Sequence, residues 1–356
     1  MRNSRVIISF AAVAVCLLGL AGCTKDFTGR TIRFRASTRP DAPVTKTAYS
    51  GETYDGTGSK VYERIDWADG DIIVLAMHNS DVAMETQQYS VNAITVSGVN
   101  SKTNLMPYGS EHGLLWGTGT HDFWSGYPAS KVTVGDHTLS AVIPSSQIVK
   151  YSKKANDTFY FNPDMSDAFM VAGVQSAADN SGINLDFYPA YTCFDFTVGA
   201  NDATTITGFE METATYETET STTMPLTGTV DASFNPSAGM AFSFATSGTT
   251  ANTISVAFHD DKDTAYNPII TTLTSMNFKV FAVPQDLTGV RITFYLNDGT
   301  HRSLSLKQNN SWITFPAAAK INITGLLIPG SVWYINFDYP RQEQWIVHPD
   351  IEIGVE

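Results

Sequence analysis

The chain has 356 residues, 43% of them hydrophobic, and a formal net charge of −13 at pH 7. That length allows about two domains with buried cores. Residues 47–356 hold 14 basic and 33 acidic residues, a net charge of −19. Because a surface of that sign repels nucleic acid and anionic membrane surfaces, we expect no nucleic-acid partner.

The first 23 residues have the pattern of an export signal. Two arginines precede a largely apolar run over residues 6–18, and small residues lead up to Cys23. A basic region, a short apolar region and small residues are typical of a secretory signal. The cysteine makes it resemble a bacterial lipoprotein signal, which implies cleavage between Gly22 and Cys23 and acylation of Cys23. We therefore expect residues 1–22 to be a signal peptide and a lipid to anchor the chain in a membrane.

A basic leader follows the signal. Residues 1–46 hold eight of the 22 basic residues and only two acidic ones. Within this segment Ile32, Phe34 and Ala36 alternate with two arginines. Period-two alternation places the three apolar side chains on one face of a strand. We expect residues 23–46 to form a leader that contains one strand.

Alternation of this kind continues along the chain and predicts an almost entirely β protein. A hairpin is predicted around Gly135–His137 and a second turn at Asn297–Gly299. Helical periodicity is not sustained, and only residues 166–173 and 317–320 tolerate a short helix. The principal predicted strands are 72–77, 132–134, 138–143, 183–188, 192–198, 241–244, 253–258, 277–283, 291–296 and 332–337.

Short strands with turn signals every eight to twelve residues favour β-sandwiches. A polar loop at residues 176–182 is the predicted boundary, which gives an N-terminal domain over 47–181 and a C-terminal domain over 182–356. The acidic, threonine-rich stretch 210–223 is interpreted as a long exposed loop or an edge hairpin. With one cysteine left after the lipid site, an intramolecular disulfide is excluded, and Cys193 is expected in the core.

Enzyme motifs are absent from the sequence. The seven histidines lack metal-ligand spacing, and there is no nucleophile elbow, P-loop or dinucleotide fingerprint. We expect no catalytic residue, metal site or cofactor. The best metal candidate is the acidic stretch 259–263, but it lacks the glycine and spacing of a calcium loop and is interpreted as a solvated loop. Residues 69–71 are interpreted as a turn that leads into a strand rather than as an ion site. Trp116, Trp124 and Trp312 are interpreted as core or edge residues that would stack on sugars only if exposed.

Six short strings follow one another between residues 45 and 190. They are TKTAYSG at 45–51, IDWADGDI at 65–72, DFWSGYPA at 122–129, IPSSQ at 143–147, DAFMVAG at 167–173 and LDFYPA at 185–190. Their order resembles the fimbrillin, or type V pilin, family of Gram-negative cell-surface lipoproteins. The resemblance implies two tandem transthyretin-like β-sandwich domains and a non-enzymatic role as a fimbrial subunit that contributes to adhesion. It also implies an outer-membrane precursor, a trypsin-like processing protease, and a strand accepted from another copy or a related subunit.

Basic residues of the leader differ as cleavage sites for such a protease. Arg39 precedes a proline, and trypsin-like enzymes cut poorly there because the bond is conformationally restricted. Arg35 lies within the predicted strand, where its backbone would be paired. Lys46 follows two prolines that discourage sheet pairing and favour exposure. We expect cleavage between Lys46 and Thr47, with Arg39 and Arg35 as fallbacks.

The C-terminal end has the pattern of a donor strand. Ile351, Ile353 and Val355 share one face opposite two glutamates, with Trp345 as a further anchor, so this end matches the leader strand in pleat and period. The alternative is that both are ordinary edge strands of their own domains. A second functional hypothesis is a monomeric outer-membrane lipoprotein that binds glycans or host ligands through surface aromatics.

Overall fold

The computed structural model describes residues 29–38, 49–54, 60–65, 67–97, 100–109, 112–155, 157–177, 182–213, 224–238, 241–305, 307–308, 311–312, 314–315, 319–327 and 341–344. This part of the chain is almost entirely β, as predicted. Its helices are two short 3-10 turns, Met165–Asp167 and Pro236–Ala238. Across these residues no helix has the length and apolar character needed to cross a membrane.

The first fourteen strands run to residue 200. They are β1 (Phe34–Thr38), β2 (Tyr49–Tyr54), β3 (Lys60–Ile65), β4 (Ile72–His78), β5 (Glu85–Ser97), β6 (Asn100–Pro107), β7 (Thr120–Tyr127), β8 (Thr133–Gly135), β9 (Thr138–Ile143), β10 (Ser146–Ala155), β11 (Thr158–Pro163), β12 (Met170–Ala177), β13 (Ile183–Pro189) and β14 (Thr192–Ala200).

The remaining strands cover the second part of the chain. They are β15 (Thr204–Thr213), β16 (Thr227–Asn235), β17 (Ala241–Ala251), β18 (Thr253–His259), β19 (Ile269–Ile270), β20 (Ser275–Ala282), β21 (Leu287–Thr288), β22 (Val290–Leu296), β23 (His301–Ser305), β24 (Lys307–Gln308), β25 (Ser311–Trp312), β26 (Thr314–Phe315), β27 (Ala319–Leu327) and β28 (Arg341–Gln344).

Seven of the early strands close into a barrel in the order β1-β13-β12-β7-β4-β5-β6. Its interior is filled with aliphatic and aromatic side chains, and it is therefore a packed core. Trp67, which precedes β4, packs edge-on against Tyr127 and Phe187, with ring centroids 5.6 and 5.1 Å apart. The turn after Trp67 is held by Asp71, which accepts hydrogen bonds from the Ala68 N–H at 2.9 Å and the Tyr127 hydroxyl at 2.9 Å. The predicted turn at 69–71 is confirmed.

A larger sheet has the order β23-β22-β15-β18-β10-β11-β20-β14-β27-β28, with β19 beside β15. The sheet curls so that its two ends share one core. Phe209 on β15 packs against Phe196 on β14 and Phe278 on β20, at centroid distances of 4.9 and 5.0 Å. These strands are far apart in the sheet order, so the contacts give it a sandwich-like cross-section.

A third, four-stranded sheet, β17-β16-β9-β8, covers the outer face of the barrel. It combines the hairpin β8–β9 with β16 and β17 from the second half of the chain. The core beneath it contains Trp124, Leu139, Val230 and Phe281, all fully buried. The two halves of the chain therefore share a hydrophobic core.

Sheet membership does not change at a single point of the chain. The hairpin β10–β11 joins the large sheet through β18 and β20, and the chain then returns to the barrel with β12 and β13. The crossing after β13 falls between Pro189 and Thr192. The proposed domain limits 47–181 and 182–356 stay predictions.

Most of the predicted strands are present in the structure, and both predicted turns occur as the hairpins β8–β9 and β22–β23. The interpretation of 210–223 is wrong for its first residues. Residues 210–213 are the end of β15, which is paired on both sides with β18 and β22, and Met211 is fully buried. Residues 166–173 form a 3-10 turn and the start of β12. The predicted strand 332–337 lies outside the described residues.

Candidate functional site

The candidate site is the position of β1 in the barrel. β1 runs parallel to β13 and antiparallel to β6, with Ala36 opposite Leu185 on one side and Thr103 on the other. Its backbone is therefore hydrogen-bonded along both edges. Removing β1 from the barrel would leave β6 and β13 as two unpaired edges that face one slot.

The inward face of β1 is the one predicted from its alternation. Phe34 and Ala36 on β1, and Ile32 just before it, are 2%, 1% and 3% exposed and belong to the barrel core. The Phe34 ring packs edge-on against Tyr89 at 5.2 Å and Phe123 at 5.5 Å between centroids. Burying such a side chain contributes about 1.5–3 kcal/mol, so the slot is a hydrophobic groove with β1 as its occupant.

Backbone contacts also hold the residues just before β1. The Ile32 N–H donates to the Leu114 carbonyl at 2.9 Å, and the Trp116 N–H donates to the Arg30 carbonyl at 2.9 Å. Thr31 and Leu115 form an antiparallel bridge. The chain before β1 passes close to Gly113, where an added Cβ would lie 2.9 Å from the Thr31 methyl group. Residues 29–38 are thus bound along their whole length.

The outward face of β1 is polar and exposed. Arg33 and Arg35 point away from the core. Since Arg35 lies within a strand paired on both sides, its peptide bond is protected while β1 is in place, which disfavours it as a cleavage site. Arg39, Lys46 and Thr47 lie outside the described residues, so the preference for the Lys46–Thr47 bond stays a prediction.

The other terminal sites lie beyond the described residues. These are the signal-cleavage and lipid site, Gly22 and Cys23, and the donor residues Trp345, Ile351, Ile353 and Val355. Immediately before the donor segment, β28 pairs antiparallel with β27 at the edge of the large sheet, with Gln344 opposite Ala319. The donor assignment stays a prediction.

The tryptophans offered as sugar-stacking residues are core residues where the structure describes them. Trp116 is 3% exposed and Trp124 is fully buried, and the side chain of Trp312 lies outside the described part. Residues 259–263 form an exposed turn in which the His259 Nδ1 lies 2.9 Å from the Asp263 carboxylate. This agrees with their interpretation as a solvated loop after β18.

One cluster was missed because its members are distant in sequence. His78, Asp122 and His137 come together on the outer face of the barrel, with their donor atoms within 4.8 Å of one another. We expected no metal site because the histidines lack ligand spacing along the chain. The only local signal was His137 beside Asp136 in a predicted hairpin, and it did not point to residues on β4 and β7.

His121, on the inner side of β7, is not part of this cluster, and its ring contacts backbone groups. It is fully buried. Its Nε2 accepts from the Gly117 N–H at 2.9 Å, and Nδ1 lies 3.1 Å from the Gly119 carbonyl. Desolvation lowers the pKa of His121 below its ordinary value, against the smaller opposing effects of Gly119, Asp81 and Asp122. The uncharged ring with Nδ1 as donor satisfies both contacts.

Comparisons with known proteins show likeness at the level of fold. No protein-family profile matches the chain, and no curated protein matches it. A "putative cell adhesion protein" from Bacteroides ovatus ATCC 8483 has a crystal structure with a TM-score of 0.50 and 13% identity, covering 90% of this chain and 99% of that one. A protein of the same description from Bacteroides uniformis ATCC 8492 has a TM-score of 0.48 and 13% identity, covering 89% of this chain and 98% of that one. The tip fimbrial protein Mfa3 from Porphyromonas gingivalis has a TM-score of 0.34 and 7% identity, covering 88% of this chain and 99% of that one. At 13% identity, the likeness to the first of these shows a shared fold over nearly the full length of both chains.

Proposed function

We propose that this protein is a structural subunit of a cell-surface fimbria, assembled by donor-strand exchange and contributing to adhesion. The observation that carries the proposal is the place of β1, an N-terminal strand with a buried apolar face that lies between β6 and β13. A strand in that position closes a groove that another strand of the same period can fill. The shared fold with a protein described as a "putative cell adhesion protein" supports a surface role.

Proteolysis between Lys46 and Thr47 would separate β1 from the body of the protein. The bond lies between β1, which ends at Thr38, and β2, which begins at Tyr49. After the cut, residues 23–46 would be held only by non-covalent contacts and by the lipid on Cys23. Loss of β1 would expose the groove while leaving the lipid anchor with the leader.

A neighbouring subunit would then supply its C-terminal strand. Ile351, Ile353 and Val355 repeat the period-two spacing of Ile32, Phe34 and Ala36, so each can take one inward position. Three aliphatic anchors at about 1.5–3 kcal/mol each, together with hydrogen bonds to β6 and β13, would give a slowly dissociating joint.

The second hypothesis, a monomeric glycan-binding lipoprotein, has less support. It required exposed aromatics, and two of the three tryptophans offered for that role are buried. Other exposed aromatics of the described residues are Tyr108, which directly follows β6 of the barrel, and Tyr295, which lies on β22 of the large sheet. The fimbrial proposal is supported by the buried position of β1 between β6 and β13, whereas the residues that the structure describes offer no comparable aromatic surface for glycan binding.

The decisive experiment combines limited trypsin treatment of the full chain with N-terminal sequencing and electron microscopy. We expect a mature chain that begins at Thr47 and filaments that appear only after cleavage. Lys46→Gln should block both, whereas Lys131→Gln, which removes the same charge from an exposed side chain, should not. Filaments formed by uncleaved protein would contradict the mechanism.

Adjacent residues of the donor segment provide a matched pair of variants. Ile353→Asn should prevent filament formation because it places a polar side chain in the groove. Glu352→Asn, one position away on the opposite face, should leave assembly intact. Deletion of residues 345–356 should abolish filaments but leave a folded precursor. If both point variants assemble equally well, exchange through this terminus is wrong.

The lipid anchor has its own test. We expect metabolic labelling with a fatty acid to mark the protein and Cys23→Ala to lose the label and the lipid attachment. Label retained by Cys23→Ala would contradict the assignment of Cys23 without affecting the strand-exchange tests.

A further inference from the structure

Three neighbouring strands place polar side chains in one row on the outer face of the barrel. His78 at the end of β4 is in register with Asp122 on β7, and Asp122 is in register with Gln175 on β12. The hairpin β8–β9 of the four-stranded sheet brings His137 onto the same row. The Asp122 side chain is 16% exposed and lies at the centre of the group.

Asp122 is oriented by its neighbours. Gln175 donates from Nε2 to the Asp122 Oδ1 at 2.7 Å. The second oxygen, Oδ2, faces both histidines, 3.2 Å from the His137 Nε2 and 3.9 Å from the His78 Nδ1. One carboxylate oxygen and two imidazole nitrogens therefore converge on a small volume.

The His137 ring is fixed from several sides. Its Nδ1 lies 2.8 Å from the Asp136 Oδ1, and its plane stacks on Trp124 at 4.6 Å between centroids. The His137 carbonyl accepts a backbone hydrogen bond from Phe234 at 2.7 Å. A carboxylate that holds the far nitrogen of a histidine is the usual outer support of a metal-bound imidazole, because it directs the other nitrogen at the metal.

His137 also has a left-handed backbone, with φ of 50°. Non-glycine residues take this conformation at a cost, and such positions cluster at binding sites. His137 occupies the two-residue turn between β8 and β9, where hairpin turns use this backbone conformation.

The three ligand atoms lie within 4.8 Å of one another, which is wider than a tetrahedral ion requires, so a side chain must move for all three to bind one ion. Zinc bonds of about 2.0–2.1 Å to nitrogen and oxygen place adjacent ligand atoms about 3.3 Å apart. The His137–Asp122 separation of 3.2 Å already matches. The His78–Asp122 separation of 3.9 Å is longer than this, and the partly exposed His78 side chain has to move toward both Asp122 and His137 to close the site.

We propose that His78, Asp122 and His137 bind one divalent transition-metal ion of the zinc class, with Asp136 and Gln175 as supporting residues. Imidazole and carboxylate ligands suit zinc, copper and nickel, whereas calcium and magnesium prefer oxygen alone. Because β4 and β7 belong to the barrel and the β8–β9 hairpin to the sheet that covers it, the ion joins these two parts of the fold.

The test uses the untagged full chain, stripped of metal with a chelator and titrated with zinc chloride by calorimetry. We expect one saturable site and a rise in the melting temperature on zinc addition, with no comparable rise from calcium chloride. His78→Ala, Asp122→Asn and His137→Asn should each weaken zinc binding at least tenfold. Asp136→Asn, at a largely exposed side chain that is not a ligand, should weaken it about tenfold.

The control is His259→Ala, which removes a histidine that lies against the Asp263 carboxylate and belongs to no three-ligand group among the described residues. It should leave zinc affinity unchanged. Because His78 is 40% exposed, His78→Ala is expected to fold, and its metal-free melting temperature shows whether it does. No saturable binding, equal stabilisation by calcium, or binding that survives all three ligand substitutions would overturn the proposal.

Discussion

Phe34 and Phe123 pack edge to face across the interior of the barrel, with ring centroids 5.5 Å apart and planes at 75°. β1 and β7 are on opposite sides of the sheet order, so this contact joins the leader strand to the far wall. The leader strand is therefore part of the hydrophobic core of the precursor. Its removal would take buried side chains out of that core as well as shorten the chain.

The first prediction concerns the contribution of Phe34 to that core. Phe34→Ala in the uncleaved protein should lower the free energy of unfolding by about 3–5 kcal/mol, because it leaves a cavity against Tyr89 and Phe123. Urea denaturation followed by tryptophan fluorescence measures it. Arg33→Ala, on the exposed face of the same segment, should change stability by less than about 0.5 kcal/mol. Equal effects of the two variants would contradict the inward orientation of Phe34.

A second prediction concerns a buried charge group in the large sheet. The Asp195 carboxylate lies 3.2 Å from the ammonium groups of both Lys279 and Lys320, and all three residues are at most 6% exposed. Asp195→Ala should cost about 3–5 kcal/mol, because it leaves buried ammonium groups without that carboxylate. The exposed Asp202 provides the control, and Asp202→Ala should be close to neutral. Similar unfolding midpoints for the two variants would be evidence against the ionic core.

The third prediction is a pH dependence that arises from His121. Burial lowers the pKa of His121 in the folded state, so below about pH 6.5, the ordinary histidine value, the unfolded chain binds the proton more readily. Stability from this residue is therefore present above pH 6.5 and lost as the pH falls. His121→Gln should flatten the decline in unfolding free energy between pH 7 and pH 5. An unchanged slope in the variant would contradict a buried neutral His121.

The fourth prediction concerns Cys193, which is fully buried on β14. In the folded protein its thiol should resist alkylation for hours and react within minutes in denaturant, since reaction requires exposure of the sulfur. Mass spectrometry of the peptide that contains Cys193 distinguishes it from the other cysteines. Rapid modification under native conditions would mean that β14 is not in the core.

Local alternation was sufficient to predict most strands. It failed where the inward residues of a strand were not the strongly apolar types on which the prediction relied. β1 was predicted from Ile32, Phe34 and Ala36, and all three are buried. The end of β15 was missed because its inward residues, Met211 and Thr213, alternate with glutamates and include no leucine, isoleucine or valine. The period was present, but the strands that pair with β15, which are β18 and β22, and the Met224 carbonyl that accepts a hydrogen bond from the Thr213 hydroxyl at 2.7 Å do not follow from the local sequence.

By itself the sequence determined the fold class, the inward face of β1, the hairpin at Gly135–His137 and the core position of Cys193, because each depends on residues close together in the chain. Only the tertiary structure decided which strands share a sheet and which polar residues meet. The return of β12 and β13 to the barrel, the pairing of β9 with β16, and the convergence of His78, Asp122 and His137 join residues far apart in sequence. Such contacts follow from how sheets pack and register against one another, and period-two alternation carries no information about the partner of a strand.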